Sequence, residues 1–249
     1  MPDVGKLPEF SESVDIPHVI SHPTDEQFLS GHVTSAENRE WLESVESEFE
    51  KAFSTLDGMR LGVSVFGSAR TAPEHPRYAL GVEVGRRIAE AGFTVITGGG
   101  PGLMQAANQG AAEAGARSVG LTIELPHEEE PNPYASTVVP FEHFFVRKTV
   151  FVRYSCAFVV LPGGFGTLDE LFESLTLIQT SKLHDFPVIL IGTEFWSRGL
   201  EWLRESLLAE GTISQRDLDL ITMTDDLDEM ISIIRSCIEC HTPPGGVED

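Results

Sequence analysis

Two glycine-rich segments stand where a strand-like apolar run gives way to a helix-like one. The first is GGGPG (98–102) after FTVIT, and the second is PGGFG (162–166) after CAFVVL. Glycine lets the backbone turn with positive φ and approach a ligand closely, and the N–H groups that begin the next helix favour an anion. Glycines also make tight turns without any ligand, so one cluster alone decides little. Two such loops on one sheet indicate a ligand that carries phosphate.

Three of the 17 Lys and Arg residues lie shortly before the second glycine loop: Arg147, Lys148 and Arg153. Arg offers a planar fork of donors that suits phosphate, whereas Lys is a point charge. Pairing with surface carboxylates is the ordinary role of any one of them. The adjacent Arg147-Lys148 pair ahead of a phosphate-type loop favours a role at the ligand.

Three acids, Asp169, Glu170 and Glu173, follow the second loop, where the next helix is expected to begin. Acids in a first helical turn stabilise the helix dipole, and Glu170 stands three residues after Thr167, the spacing of a capping box. A carboxylate beside a bound phosphate ligand would also suit acid/base work or the stabilisation of developing positive charge. Both interpretations of these acids stay open.

Sequence patterns for nucleotide cofactors are incomplete. The run LGVSVF is followed by Gly67-Ser68-Ala69-Arg70, which holds one glycine where a dinucleotide-binding fingerprint needs three. Neither glycine loop continues into the Lys-Ser or Lys-Thr of a P-loop. We therefore expect neither NAD binding nor ATP hydrolysis, and we predict no cofactor.

Metal, haem and triad chemistry are also disfavoured. The segment CIECH (237–241) spells the haem-attachment pattern, but it lies at the expected end of a terminal helix in a chain whose start shows no export signal. No second ligand pair with zinc-site spacing accompanies it. Ser68 and Ser155 lack a nearby His/Asp pattern for a nucleophilic triad. We predict no metal site.

Short apolar runs alternate with helix-like segments from residue 60 onward. Continuous apolar runs in this rhythm indicate a parallel sheet covered on both faces. We therefore predict an α/β fold, a doubly wound Rossmann-like parallel sheet with helices on both faces. The predicted strands are 61–66, 93–97, 118–123, 156–161, 187–192 and a weak 218–223. The predicted helices are 78–91, 103–114, 145–154, 167–180, 195–209 and 227–237.

Two segments depart from this alternation. From Ser35, a plausible N-cap, apolar residues at helical spacing predict an amphipathic N-terminal extension helix that stops at Asp57-Gly58. Residues 1–27 before it are polar and proline-rich, as expected of an arm. Residues 124–145 are acidic, proline-rich and long for a loop, and they leave the end of a strand. We expect them to form a wall or lid of the site.

The balance of charge limits the partners. Against 17 Lys and Arg stand 39 Asp and Glu, which gives a net charge of −22. Binding to nucleic-acid polymers or anionic membranes depends on clustered Lys and Arg, so we expect neither partner. No segment approaches the roughly 18 apolar residues of a membrane span. Three cysteines and a start without a signal pattern predict a cytoplasmic protein.

Three motifs in order resemble the Lonely Guy (LOG) family of cytokinin-activating phosphoribohydrolases, in its longer bacterial branch. PGGFGTLDE (162–170) resembles the family signature PGGxGTxxE, Arg147-Lys148 resembles its upstream Arg-Lys pair, and GGGPGLM (98–104) resembles its first glycine loop. The similarity covers roughly residues 60–234. Similar proteins are often labelled lysine decarboxylases, but that chemistry needs a Schiff-base lysine for pyridoxal phosphate. None of the four lysines here has such a context.

The resemblance implies hydrolysis of the N-glycosidic bond of a nucleoside 5′-monophosphate, AMP or N6-isopentenyl-AMP, to free base and ribose 5-phosphate. It implies Glu170 and Arg147 as catalytic residues, because a carboxylate can stabilise an oxocarbenium-like state or activate water. It also implies a homo-oligomer that takes a small nucleotide as substrate. The residues implied to bind substrate or phosphate are Lys148, Gly163, Gly164, Gly166, Thr167, Thr176, Gly99, Gly100, Ser68 and Glu128.

On this basis we predict three parts: an N-terminal arm and helix (1–58), a Rossmann-like nucleotide-binding catalytic domain (59–240) and a disordered tail (241–249). The alternative is a non-catalytic nucleotide or molybdenum-cofactor carrier on the same scaffold, because fold does not fix function. The pair of Arg147 and Glu170 favours the enzyme, since a carrier does not need it. A DNA-processing Rossmann protein is a further alternative, against which the charge counts. The sequence leaves open the preferred base, the oligomer size, the choice between cytokinin production and nucleotide salvage, and the role of residues 1–58.

Overall fold

The computed structural model describes residues 34–59, 61–124, 132–184 and 186–241. By its internal contacts the chain divides into two units, residues 1–42 and 43–249. In the first unit the described residues begin helix α1 (Ser35–Thr55). Thr34, and not the predicted Ser35, caps this helix: its hydroxyl accepts from the Glu37 N–H at 3.3 Å, and its own N–H donates to the Glu37 carboxylate at 2.7 Å. This reciprocal capping box fixes the start of α1 one residue earlier than expected.

The second unit is built on one sheet of seven strands, and all of its strand pairs are parallel. The strands are β1 (Gly62–Phe66), β2 (Thr94–Thr97), β3 (Ser118–Ile123), β4 (Thr137–Phe141), β5 (Ser155–Val160), β6 (Val188–Leu190) and β7 (Ile221–Met223). Their order across the sheet is β4-β3-β2-β1-β5-β6-β7.

Helices connect the strands. They are α2 (Pro76–Glu90), α3 (Leu103–Glu113), α4 (Phe144–Tyr154), α5 (Phe165–Gln179), α6 (Thr193–Trp202), α7 (Gln215–Leu218) and α8 (Leu227–His241), with a π-helical turn at Leu203–Leu208 after α6. The predicted doubly wound Rossmann-like sheet is thereby confirmed.

Each face of the sheet carries its own hydrophobic core. Successive side chains of a strand point to opposite faces, so Val63 and Val65 of β1 enter one core and Phe66 enters the other. The first core is closed by α2, α3 and α8, and the second by α4, α5, α6 and the C-terminal part of α1. The buried Ala52 and the neighbouring Leu56 bring α1 into the second core.

Strand β4 was not predicted, because it lies in the segment expected to be an irregular loop. It pairs with β3 at the edge of the sheet, where Pro140 stands opposite Thr122. Proline cannot donate to a ladder of hydrogen bonds and is tolerated in edge strands. The proline made the segment resemble a loop, although the strand begins with the β-branched run TVV (137–139).

Two helix boundaries also differ from prediction. Helix α5 begins at Phe165 with Gly164 as its N-cap, two residues before the predicted start, so of the two open interpretations of Glu170 the capping box with Thr167 does not apply. Thr167 already lies inside the helix, which leaves Glu170 free for another role. The helix predicted over 195–209 is α6 followed by the π-helical turn.

The order of strands places a switch point at the centre of the sheet. From β1 the chain builds outward through β2 and β3 to β4, then returns through α4 to β5, which lies on the other side of β1. The loops that leave β1 and β5 therefore diverge toward opposite halves of the sheet. In open α/β sheets a crevice for ligands forms beyond the carboxyl ends of the strands at this point.

Candidate active site

Three loops meet at the carboxyl edge of the sheet. The loop after β1 contacts both glycine loops: Ser68 N donates to the Pro162 carbonyl at 3.1 Å, and Leu103 N donates to the Ser68 carbonyl at 2.9 Å. The Ser68 hydroxyl accepts from Arg70 N at 3.1 Å and so also holds its own turn. The structure thus brings the β1 loop and the two predicted glycine loops together.

In the first glycine loop (98–102), the fold leaves no room for a side chain at Gly99 or Gly102. Gly99 and Gly102 have φ of 70° and 67°, a region that residues with a Cβ rarely adopt. A Cβ on Gly102 would lie 2.3 Å from the Ser68 carbonyl oxygen, and one on Gly99 would lie 2.6 Å from Thr122 Cγ2. Gly100 lies half-buried between them.

The second glycine loop (162–166) has different surroundings. A Cβ on Gly163 would meet the Thr167 hydroxyl oxygen at 2.0 Å, so that glycine makes room for the buried Thr167. Gly164 and Gly166 have no protein atom within 4 Å of an added Cβ, and neither has a positive φ. The fold itself does not require glycine at these two positions, which border open space at the start of α5.

Arg147 lies in the first turn of α4 beside the first glycine loop. Its guanidinium lies over the rings of Phe144 and Phe151, 5.2 and 5.7 Å from the centroids, and its Nη1 is 3.8 Å from where a Cβ of Gly98 would be. Its Nε is buried and has no hydrogen-bond partner among the residues that the structure describes. Burial lowers the pKa of Arg147, while the charges of Glu170 and Asp169 counteract this. Arg147 remains a cation with an unused donor.

Lys148 joins α4 to α5. Its Nζ lies 2.9 Å from Asp169 Oδ2 and 2.7 Å from Glu173 Oε2. Burial alone would lower the pKa of Lys148, but the hydrogen bonds to Asp169 and Glu173 hold it above the ordinary value. The two acids are four residues apart on one face of α5, so a single ammonium bridges both.

Glu170 is the most deeply buried acid of the site, with 5% of its surface exposed. Burial raises its pKa to about 7, and the negative charges of Glu173 and Asp169 add to this effect. The positive charges of Lys148 and Arg147 oppose it. Near neutral pH both protonation states of Glu170 are populated, so this carboxyl can give or take a proton at the pH where a cell works.

The remaining predicted residues are less central. Thr176 is exposed and its hydroxyl donates to the Phe172 carbonyl at 2.7 Å. It stands nine residues after Thr167, or about 13 Å along α5, and lines an open groove with Phe165, Leu168 and Phe172. Glu128 lies outside the described residues, as do the other residues of 125–131 in the segment 124–145 that was predicted to wall the site.

Sequence reasoning missed the partners of the two cations. For Asp169 and Glu173 the sequence left open helix stabilisation and work at a ligand, but it did not pair them with Lys148. Their spacing of four residues places both on one face of α5. The aromatic rings around Arg147 belong to its own helix at spacings of three and four residues. Helical periodicity could therefore have predicted both the pair of acids and the pair of aromatic rings. The distant partner of His143 on α1, described below, had no such signal.

A metal site is not formed by the described part of the chain: no group of three or more His, Cys, Asp or Glu side chains there is arranged to hold an ion. Within those same residues, none of the helices has the length and apolarity to cross a membrane.

A parallel sheet with two glycine loops at its carboxyl edge, and with the charge of Arg147 acting on the buried Glu170, defines a Rossmann-like α/β protein. The family model described as "Possible lysine decarboxylase" matches residues 104–234. A cytokinin riboside 5′-monophosphate phosphoribohydrolase of Mycobacterium marinum is 34% identical over 176 residues, which are 69% of this chain and 92% of that protein. The enzyme of the same description from Mycobacterium tuberculosis is 32% identical over 178 residues, 70% of this chain and 92% of that protein. The chain belongs to this family, the LOG family.

The fold is also similar to a solved structure of another description. The molybdenum cofactor carrier protein of Chlamydomonas reinhardtii superposes with a TM-score of 0.54 at 23% identity, over 72% of this chain and 99% of that one. At this identity the similarity concerns the fold alone.

Proposed function

We propose that this protein hydrolyses the N-glycosidic bond of a nucleoside 5′-monophosphate, AMP or N6-isopentenyl-AMP. Water adds to C1′ of the ribose, the bond to the base nitrogen breaks, and the products are the free base and ribose 5-phosphate. The relatives named above are phosphoribohydrolases of cytokinin riboside 5′-monophosphates, which supports a substrate of this class.

The observation that carries the proposal is the environment of Glu170. Cleavage of an N-glycosidic bond builds positive charge on the ribose ring, which a nearby carboxylate stabilises, and it also requires activation of water. A buried carboxyl with a pKa of about 7 suits both tasks, because it is ionised in part and still basic enough to take a proton from water. A protein that only carries a nucleotide has no need of such a group.

The phosphate would bind at the start of α5. Gly164 and Gly166 leave their backbone accessible there, and the first N–H groups of a helix are suited to an anion. Thr167 would add its hydroxyl, and Gly163 makes the room that this side chain occupies. The buried Nε of Arg147, which lacks a partner in the described chain, supports a ligand contact from α4.

The remaining predicted contacts complete the proposed site. Lys148 would supply charge from beside Glu170, and Thr176 would contact the nucleotide from farther along α5. Ser68, Gly99 and Gly100 would border the crevice from the β1 loop and the first glycine loop.

We also propose that copies of the chain associate in the cytoplasm as a homo-oligomer. Phe165 and Phe172 of α5 are 92% and 41% exposed and line one open groove together with Leu168. Large apolar side chains grouped at a surface favour association with another protein surface. The partner on the substrate side is a small nucleotide, not a nucleic-acid polymer or a membrane, in keeping with the net charge of −22.

The test is the release of free base from AMP and from N6-isopentenyl-AMP, measured by chromatography with purified protein. We expect release from at least one of them, and a loss of kcat of about 10³-fold in Glu170→Gln. Glu201→Gln, an exposed acid of α6, is the matched control and should keep the parent rate. Tight nucleotide binding without any release would contradict the proposal and favour a carrier. Equal rates in Glu170→Gln and the parent would remove Glu170 from the mechanism.

A further inference from the structure

The N-terminus of α4 is capped by a carboxylate from another helix. His143 is the N-cap residue of α4 and makes no side-chain capping bond within that helix. Its ring Nδ1 lies 2.5 Å from Glu48 Oε1, and its backbone N–H donates to Glu48 Oε2 at 3.4 Å. Both side chains are only 12% exposed. Glu48, 95 residues earlier in α1, thus places a negative charge at the positive end of α4.

The same contact leads directly to Arg147. Arg147 N donates to the His143 carbonyl at 3.2 Å, a first-turn bond of α4. Glu48 therefore contacts His143, the residue whose carbonyl accepts the hydrogen bond from the Arg147 backbone N–H. Glu48 is thus connected to Arg147 through one residue, His143, and the last two lie within one turn of α4.

The other end of α4 is also held by α1. The guanidinium of Arg153 lies 4.9 Å from the centre of the Phe53 ring, and the rings of Phe53 and Tyr154 are 6.4 Å apart. Glu48 and Phe53, about one and a half turns apart in α1, thus contact the two ends of α4. Arg147 and Lys148 lie between these two points of attachment.

We propose that Glu48 and His143 are positioning residues for Arg147: they fix the start of α4, and with it the place of the guanidinium beside Glu170. This inference rests on the proposed function, in which Arg147 is the catalytic partner of Glu170. An error of about 1 Å in the placement of such a group costs on the order of 100-fold in rate. The extension helix α1 is then part of the catalytic apparatus, although it reaches the site only through α4.

The experiment compares Glu48→Ala with Glu50→Ala, an exposed glutamate of the same helix. Alanine keeps the helix propensity of α1, so the two variants differ in the contact with His143. We expect kcat for base release to fall about tenfold or more in Glu48→Ala and to stay at the parent value in Glu50→Ala. Hydrogen exchange of the backbone amides in 147–154 should quicken about tenfold or more in Glu48→Ala alone.

Two further variants separate positioning from general stability. In an Arg147→Ala background, Glu48→Ala should lower kcat no further, because the group that it positions is gone. His143→Asn, which supplies a local N-cap, should retain more activity than His143→Ala. If Glu48→Ala lowers the melting temperature while kcat and exchange match Glu50→Ala, the proposal is wrong.

Failure of the proposed function would look different. A parent protein that releases no base from either nucleotide would refute the hydrolase. Hydrogen exchange would still test whether Glu48 and His143 fix the start of α4. Quicker exchange in α4 of Glu48→Ala supports this claim, and unchanged exchange overturns it.

Discussion

The two glycine loops have similar sequences, GGGPG and PGGFG, but different reasons for their glycines. In the first loop an added Cβ would strike Ser68 or Thr122 and the backbone has positive φ. In the second loop Gly164 and Gly166 face open space in a backbone that any residue can adopt. Packing thus explains Gly99 and Gly102 of the first loop, but it does not explain Gly164 and Gly166 of the second. Like sequences at like places in one sheet therefore need not have like roles.

The largest effect should come from the first loop. Gly102→Ala forces a residue with a Cβ into a backbone conformation that favours glycine, which costs about 1–3 kcal/mol. It also places that Cβ 2.3 Å from the Ser68 carbonyl oxygen. We expect the free energy of unfolding in urea to fall by about 3 kcal/mol or more. Gly115→Ala, with φ of 72° and no atom within 4 Å, isolates the backbone term and should cost about 1 kcal/mol. Equal losses in the two variants would show that the β1 loop moves away from the added Cβ. Packing would then not explain Gly102, and the contrast between the two glycine loops would be weaker.

The next effect concerns the cost of keeping Glu170 buried beside the second loop. Its pKa is about 7 in the folded protein against an ordinary value of 4.5, so the folded state holds a proton that the unfolded chain releases. The stability from this proton is fully present below pH 4.5 and is lost as the pH rises through 7. It amounts to about 3 kcal/mol.

Glu170→Gln has no proton to lose. The difference in unfolding free energy, variant minus parent, should therefore rise by up to about 3 kcal/mol between pH 4.5 and pH 8. Denaturant unfolding at several pH values measures this difference. The exposed Glu201→Gln should follow the parent at every pH. A constant difference between Glu170→Gln and the parent would mean that Glu170 keeps an ordinary pKa and that the second loop adjoins no unusual acid.

The smallest change in stability should come from the second loop itself. Gly166→Ala adds a methyl group in open space within α5, where alanine favours the helix by about 0.5 kcal/mol. We expect the melting temperature to stay or rise slightly, while kcat/KM for base release falls about tenfold or more because the methyl stands where the phosphate would approach. Gly199→Ala in α6, also in open space, should match its stability and keep full activity. Full activity in Gly166→Ala would place the phosphate elsewhere.

The sequence predicted the fold well because strand and helix periodicity are local. Six of the seven strands followed from their apolar runs, and the strand that was missed contains Pro140. The start of α1 was off by one residue because capping depends on the side chain that reaches the free N–H groups. The start of α5 was off by two residues because its N-cap, Gly164, has no side chain to mark it. Two adjacent candidates, such as Thr34 and Ser35, look alike until the geometry is known.

The site was predicted in its types of residue but not in its pairings. Motif spacing drew attention to Arg147, Lys148 and Glu170, and the structure brings their charges into interaction. The burial that raises the pKa of Glu170 is a property of the folded protein, which no local pattern contains. The pair of Glu48 and His143 lay beyond prediction for the same reason, since 95 residues separate them.

The central pairing of β1 with β5 has a consequence for the order in which the molecule assembles. The hydroxyls of Ser64 and Ser155, 2.6 Å apart across this pair, are separated by 91 residues of chain. Strands β1, β2 and β3 each pair with the next strand in sequence. Strand β5 instead pairs with β1, and it must close a longer loop at a greater cost in chain entropy. Until it does, β1 presents an open edge on which foreign strands can add. The crevice is thus created in the same event that seals the half-built sheet.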